Sequence, residues 1–244
     1  MNKLDRFSYE LYEKTAVDYD RFRFMGISGR WVDKVQKQII KSLLVDITDK
    51  RVLEAGSGTG RITEFLVERG GKVTTIEPAK SMTEVARKRF LENGLPQPDF
   101  ISGTLENYNS HGDTYDLIVS VNVFGHLSTP YLFFRKCRNL LSPGGKMLFN
   151  FPNLNSFYLP IGFLVNICGK SITNRVFSRW YNPNTIQKML NISGFRILNQ
   201  AGHFYVPIGR QLFVLLPIIR VLDTIFGRAK SCLAPSIFIL AERK

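Results

Sequence analysis

The stretch Val52–Arg61, VLEAGSGTGR, carries the densest chemical information in the chain. Glycines 56, 58 and 60 follow a short apolar run and precede an amphipathic one. Glycine admits a tight turn and lets backbone approach a ligand closely. A helix that begins there presents N–H groups with no partner of their own. The loop is no P-loop, since no GK[ST] follows, and Arg61 stands where a dinucleotide fingerprint needs a third-repeat glycine. The second element is Glu77, directly after the β-branched run KVTTI and 21 positions beyond Gly56. A carboxylate at the end of the second strand of a βαβ unit is placed to accept hydrogen bonds from ribose hydroxyls. Taken alone it reads as a solvated surface acid; one unit after such a loop it reads as a nucleoside contact.

These residues need a scaffold, and the pattern around them supplies one. Residues 30–45 carry Trp31, Val32, Val35, Ile39, Ile40, Leu43 and Leu44 at helical spacing. Strands are expected at 51–55, 72–76, 99–102, 115–121 and 146–151. Helices are expected at 59–69, 79–92 and 131–141, the last stopped by Ser142-Pro143-Gly144-Gly145. This alternation predicts βαβ units and a parallel sheet covered on both faces. The rhythm breaks after Phe151. Residues 152–182 read as an irregular aromatic cap, 183–192 as a helix, and 195–200 and 236–241 as two more strands. The organisation expected is a helical lid segment over 1–45, a core over 46–151, the cap over 152–182 and the rest of the core over 183–244.

VLEAGSGTG, TTIEPAKSM, FISGTLENY, YDLIVSVNVFGHL and LLSPGGKML, in that order, resemble the successive motifs of class I methyltransferases that use S-adenosylmethionine (SAM) and release S-adenosylhomocysteine (SAH). The resemblance implies a Rossmann-like, seven-stranded, mostly parallel α/β sheet with helices on both faces, its last strand antiparallel, and a cap after the fifth strand. It implies that Glu54, Gly56, Ser57, Gly58 and Gly60 hold the methionine and ribose parts and that Glu77 takes the ribose hydroxyls. Pro78 and Met82 would lie against adenine, Thr104 and Leu105 at its edge, and Val121 beside the methionine moiety. The family often has Asp where Thr104 stands, and a hydroxyl makes the weaker, neutral bond. His126 is either a general base for a hydroxyl acceptor or a residue that closes the pocket. Tyr19, in YELYEKTAVDYDRF with Tyr9 and Tyr12, is either a lid residue or ordinary helix packing. A narrower likeness, through NVFGHL, SRWYNPNTIQKMLNISGF and GHFYVP, is to the O-methyltransferases of ubiquinone synthesis. Some of those bind a metal through two Glu and a His. Here the Glu positions are Asn122 and Gly125, so no metal site is expected.

Composition sets the boundaries. Of 244 residues 44% are hydrophobic and 22% charged, which excludes a disordered chain. No apolar run reaches the length of a membrane span, and MNKLDRFSYELYEK lacks the apolar core of a signal peptide. Cys137, Cys168 and Cys232 lie far apart, as reduced thiols do in a cytoplasm. The net charge is +13, and residues 151–244 hold eleven basic groups against Asp223 and Glu242. A basic surface attracts phosphate. The stretch 204–228, with large aliphatics beside Arg210, Arg220 and Arg228, reads as a buried helix with basic ends or as one lying on an anionic membrane. No clustered Lys/Arg tract or zinc-finger spacing points to nucleic acid. The expectation is a methyltransferase for a small apolar or aromatic acceptor, with O-methylation favoured. An RNA methyltransferase and a non-catalytic SAM-binding protein are the alternatives.

Overall fold

A computed structural model describes residues 3–156, 178–203 and 233–244. Part of the expected cap and the whole stretch 204–228 lie outside those residues. Two helices open the chain, α1 (Lys3–Arg23) and α2 (Ile27–Leu43). The alternation follows: β1 (Arg51–Ala55), α3 (Arg61–Glu68), β2 (Lys72–Glu77), α4 (Lys80–Glu92), β3 (Asp99–Ser102) and β4 (Tyr115–Ser120). A single 3-10 turn, Phe124–His126, leads to α5 (Pro130–Leu140) and β5 (Leu141–Pro152). Helix α6 (Pro183–Ile192), started by Pro183 and by the Asn182 side chain accepting from the Asn184 N–H, precedes β6 (Phe195–His203) and β7 (Ser236–Arg243).

The strands form one sheet in the order β3-β2-β1-β4-β5-β7-β6. β1 to β5 pair in parallel, and β7 runs antiparallel to both of its neighbours. Order reverses between β1 and β4, and the carboxyl ends of strands at such a switch form a natural crevice. Apolar side chains cover both faces. One face carries Phe124, Phe134, Phe149, Ile186 and Phe195; the other carries Ile40, Leu66 and Leu148. Phe124 is fully buried, its ring about 5 Å from Phe134, Phe149 and Tyr181. Burying such a ring contributes roughly 1.5–3 kcal/mol. This cluster anchors the 3-10 turn that ends in His126.

Two differences from the sequence reading have a clear local cause. α3 begins at Arg61, not Thr59, because Gly60 takes a left-handed φ of +79° and closes a turn from its N–H to the Ser57 carbonyl. Ser142–Gly145 does not separate α5 from β5. β5 starts at Leu141 opposite Tyr115, and the four residues bulge out before Lys146 pairs with Leu117. The final strand is antiparallel, as the resemblance implies. β7 inserts between β5 and β6, which gives the fully apolar Phe238 and Leu240 a covered place.

A Cβ on Gly60 would stand 2.9 Å from the Ala86 Cβ, besides the strained φ. Gly60→Ala is expected to lower stability by about 1–3 kcal/mol in urea titrations. An unchanged midpoint would show that the α3–α4 approach relaxes freely.

Candidate active site

A cavity of about 560 Å³ opens where β1, β2 and β4 end, within the size range of small-molecule sites. It is lined by Glu54, Gly56, Ser57 and Gly58 from the β1 turn, and by Glu77, Pro78 and Met82 after β2. Thr104 and Leu105 line it after β3, Val121 and His126 after β4, and Tyr19 from α1. The candidates named from sequence thus converge on one space, except Gly60, which faces α4 instead.

Glu77 organises the polar wall. Its carboxylate accepts from the Gly58 N–H at 2.8 Å and from the Ala79 N–H at 3.0 Å. One side chain therefore fixes the glycine loop to the start of α4. Burial pushes its carboxyl above the usual range, against these two hydrogen bonds. The loop tolerates no side chain at Gly56, where φ is +78° and a Cβ would lie 2.3 Å from Val123 Cγ2. At Gly58 the added Cβ would meet open space, so the backbone there faces room for a guest. Ser57 Oγ is buried without a hydrogen-bond partner on the same wall. Such an orphan is costly unless a ligand or water completes it.

Helix α1 roofs the cavity. Tyr9, Tyr12 and Tyr19 pack with Ala16 against Ala79 and Met82. Carboxylates hold the roof in place. Glu13 accepts from the Lys80 N–H at 2.7 Å and the Ser81 N–H at 3.0 Å, and so caps α4 from another helix. Asp20 accepts from Thr59 Oγ1 at 2.8 Å and pairs with Arg89. Neither acid was singled out from sequence, because a latch joining residues so far apart leaves no local signal. Tyr12 hangs from the roof onto His126: its hydroxyl lies 3.4 Å from Nε2.

The floor between β1 and β4 rests on a polar chain. Arg61 pairs with Asp33 and donates to Gln36 Oε1 at 2.7 Å, with its guanidinium 4.2 Å over the Phe24 ring. Gln36 donates to Asn122 Oδ1 at 3.3 Å. The Asn122 N–H donates to Asn150 Oδ1 at 2.6 Å, and Asn150 Nδ2 returns a bond to Asn122 Oδ1 at 3.0 Å and reaches Ser236 at 2.9 Å. Asn122 holds a φ of +61°, a conformation that this paired amide sustains. It sets Val121 and Val123 on either side of the cavity wall.

Glu54 is a second perturbed acid of the site. Burial pushes its carboxyl up to about 8, against the Thr63 hydroxyl bond at 2.5 Å and the Arg61 charge, with Glu77 adding to the rise. Unfolded, the same group ionises near 4.5. Between those values the folded protein keeps a proton that the unfolded chain releases, so stability falls as pH rises. Without ligand, the unfolding free energy is expected to decline from about pH 5 to about pH 8. Glu54→Gln should flatten that decline. A slope identical in both proteins would mean that Glu54 is ionised in its buried seat.

Known proteins of similar sequence and fold bear on the family. Residues 52–145 match the family described as "Methyltransferase domain". The chain is 26% identical over 204 residues to a ubiquinone biosynthesis O-methyltransferase of Proteus mirabilis, covering 76% of this chain and 82% of that one. It is 28% identical over 173 residues to the protein of the same description from Nitrosococcus oceani, covering 68% and 71%. In fold it is similar to the magnesium protoporphyrin IX methyltransferase of Synechocystis PCC 6803 solved with bound SAH, with a TM-score of 0.71 and 16% identity over 97% of this chain and 98% of that one. Sequence motifs, sheet order and the matched domain together support a class I SAM-dependent methyltransferase.

Proposed function

We propose that this methyltransferase acts on a hydroxyl of a small, apolar, aromatic acceptor. The carrying observation is the mixed lining of the cavity. The glycine loop with Glu54 and Glu77 lines it. So do Tyr12, Phe24, Leu127, Leu132 and Phe133, with His126 among them. A roofed space of this volume suits a small molecule rather than a polynucleotide strand. The descriptions of the Proteus and Nitrosococcus relatives support transfer to oxygen.

In this reading Glu54, Gly56, Ser57 and Gly58 hold the methionine and ribose portions of SAM, and Gly60 shapes their turn. The orphaned Ser57 hydroxyl and the open space at Gly58 fit such a guest. Each Glu77 oxygen engages one N–H and keeps a second lone pair, so a pre-oriented acceptor is ready for the ribose hydroxyls. Pro78 and Met82 lie against adenine, Thr104 and Leu105 take its edge, Val121 lies at the methionine end, and Tyr19 covers it. The bound cofactor supplies a methyl group on an already activated sulfonium. What the chain adds is alignment, exclusion of water and a place for the acceptor's proton. His126 is that place, and the Tyr12 hydroxyl at 3.4 Å marks the approach a phenolic acceptor takes to the imidazole.

Glu77→Ala is expected to weaken SAM binding by about 1.5–3 kcal/mol in calorimetry; unchanged affinity would place the ribose elsewhere. With methyl-labelled SAM and a phenol bearing an apolar tail, transfer is expected. His126→Asn should lower kcat by about 10²–10⁴ while SAM affinity holds. Labelling of RNA that collapses as salt rises, with no phenol accepted, would overturn the small-molecule reading.

A further inference from the structure

The turn between α1 and α2 has an outward side that the site does not use. Phe22 is 62% exposed, Met25 60% and Ile27 49%, three large apolar side chains within six residues. Val17, further back on α1, is 86% exposed. A lone exposed apolar residue is ordinary, but a group of them marks a contact surface. The segment Arg21–Arg30, RFRFMGISGR, carries three exposed arginines and no acid, with Arg21 paired at 3.1 Å to the exposed Asp18 one turn earlier. Arg21 lies 5.0 Å from the Phe22 ring centroid, so charge and apolar surface are presented together.

This elbow is a built turn. The Phe24 and Met25 N–H groups both donate to the Asp20 carbonyl, at 2.8 and 3.0 Å. Arg30 Nη1 donates to the Met25 carbonyl at 2.6 Å. A Cβ on Gly29 would stand 2.5 Å from the Arg23 carbonyl oxygen, so the two helices meet at a separation only glycine allows. A turn held this way keeps Met25 and Ile27 outward without collapse onto the protein.

We propose that the α1–α2 elbow docks the enzyme on an anionic lipid bilayer, with Phe22, Met25 and Ile27 entering the interface and Arg21, Arg23 and Arg30 meeting lipid phosphates. Apolar side chains rimmed by arginine are what a negatively charged interface retains. The inner side of the same elbow is Phe24, a wall of the cavity. A bilayer bound there lies one side chain away from the site, which suits an acceptor that dissolves in lipid. The surface deepens the proposed acceptor class and rests on it.

The test is co-sedimentation with vesicles of phosphatidylcholine, with and without phosphatidylglycerol. The protein is expected to sediment with the anionic vesicles at low salt and to be released at high salt. Phe22→Ser with Met25→Ser should reduce the bound fraction at least about fivefold, and Arg21→Gln with Arg23→Gln should remove the preference for phosphatidylglycerol. Calorimetry with SAM on each variant should show unchanged affinity, which separates lost docking from lost folding. Equal sedimentation of wild type and variants, or none by wild type, overturns the elbow as a lipid surface. So does a wild type that is dimeric in solution when the Phe22/Met25 variant is monomeric, since the patch would then be covered by a second copy. If phenols are not methylated yet the elbow variants still lose the vesicles, the acceptor reading fails while the docking surface stands.

Discussion

The site depends on the two backbone N–H groups that converge on one buried carboxylate. Glu77 draws the Gly58 amide across from the β1 turn and the Ala79 amide back from the start of α4. Without it, two adjacent turns would each carry an unpaired donor facing a cavity, and their relative position would be set by weaker contacts. Charge-assisted bonds of this kind are roughly twice as strong as neutral ones. They also explain how an acid can remain useful in a buried place where its charge is disfavoured.

Acids do the remaining assembly as well. Glu13 and Asp20 both lie on α1, and both reach residues at the cavity edge. The roof is therefore attached through polar contacts at its middle and near its C-terminal end, and through tyrosine rings beside them. A helix attached by a few polar contacts can open more readily than one buried in the main core, where Ile40 and Leu66 hold α2 and α3. That division is suited to a site that must admit a large cofactor and then exclude water.

Beneath the cavity, the chain from Asp33 through Arg61, Gln36, Asn122 and Asn150 to Ser236 ties α2, α3, β5 and β7 to the loop after β4. It also resolves an oddity of the sequence. Arg61 stands where a dinucleotide-binding loop has glycine, and its side chain turns away from the loop to brace α2 and Phe24. Asn122 is engaged with Asn150 as part of the same brace.

The amino-acid sequence alone determined the alternation of strands and helices, the glycine loop and the acid after β2. The first two of those signals are local, where periodicity and turn chemistry act directly, and Glu77 takes its meaning from the loop one βα unit before it. Element ends slipped where a left-handed glycine or a bulge reset them, at Gly60 and at Ser142–Gly145, and the last two strands run on to His203 and Arg243. Tertiary structure alone decided that β7 lies between β5 and β6, that Glu13 reaches Ser81 across 68 positions, and that Tyr12 meets His126 across 114. Such partners are chosen by packing of the whole sheet and its roof, and neither residue of a pair carries a local mark of the other.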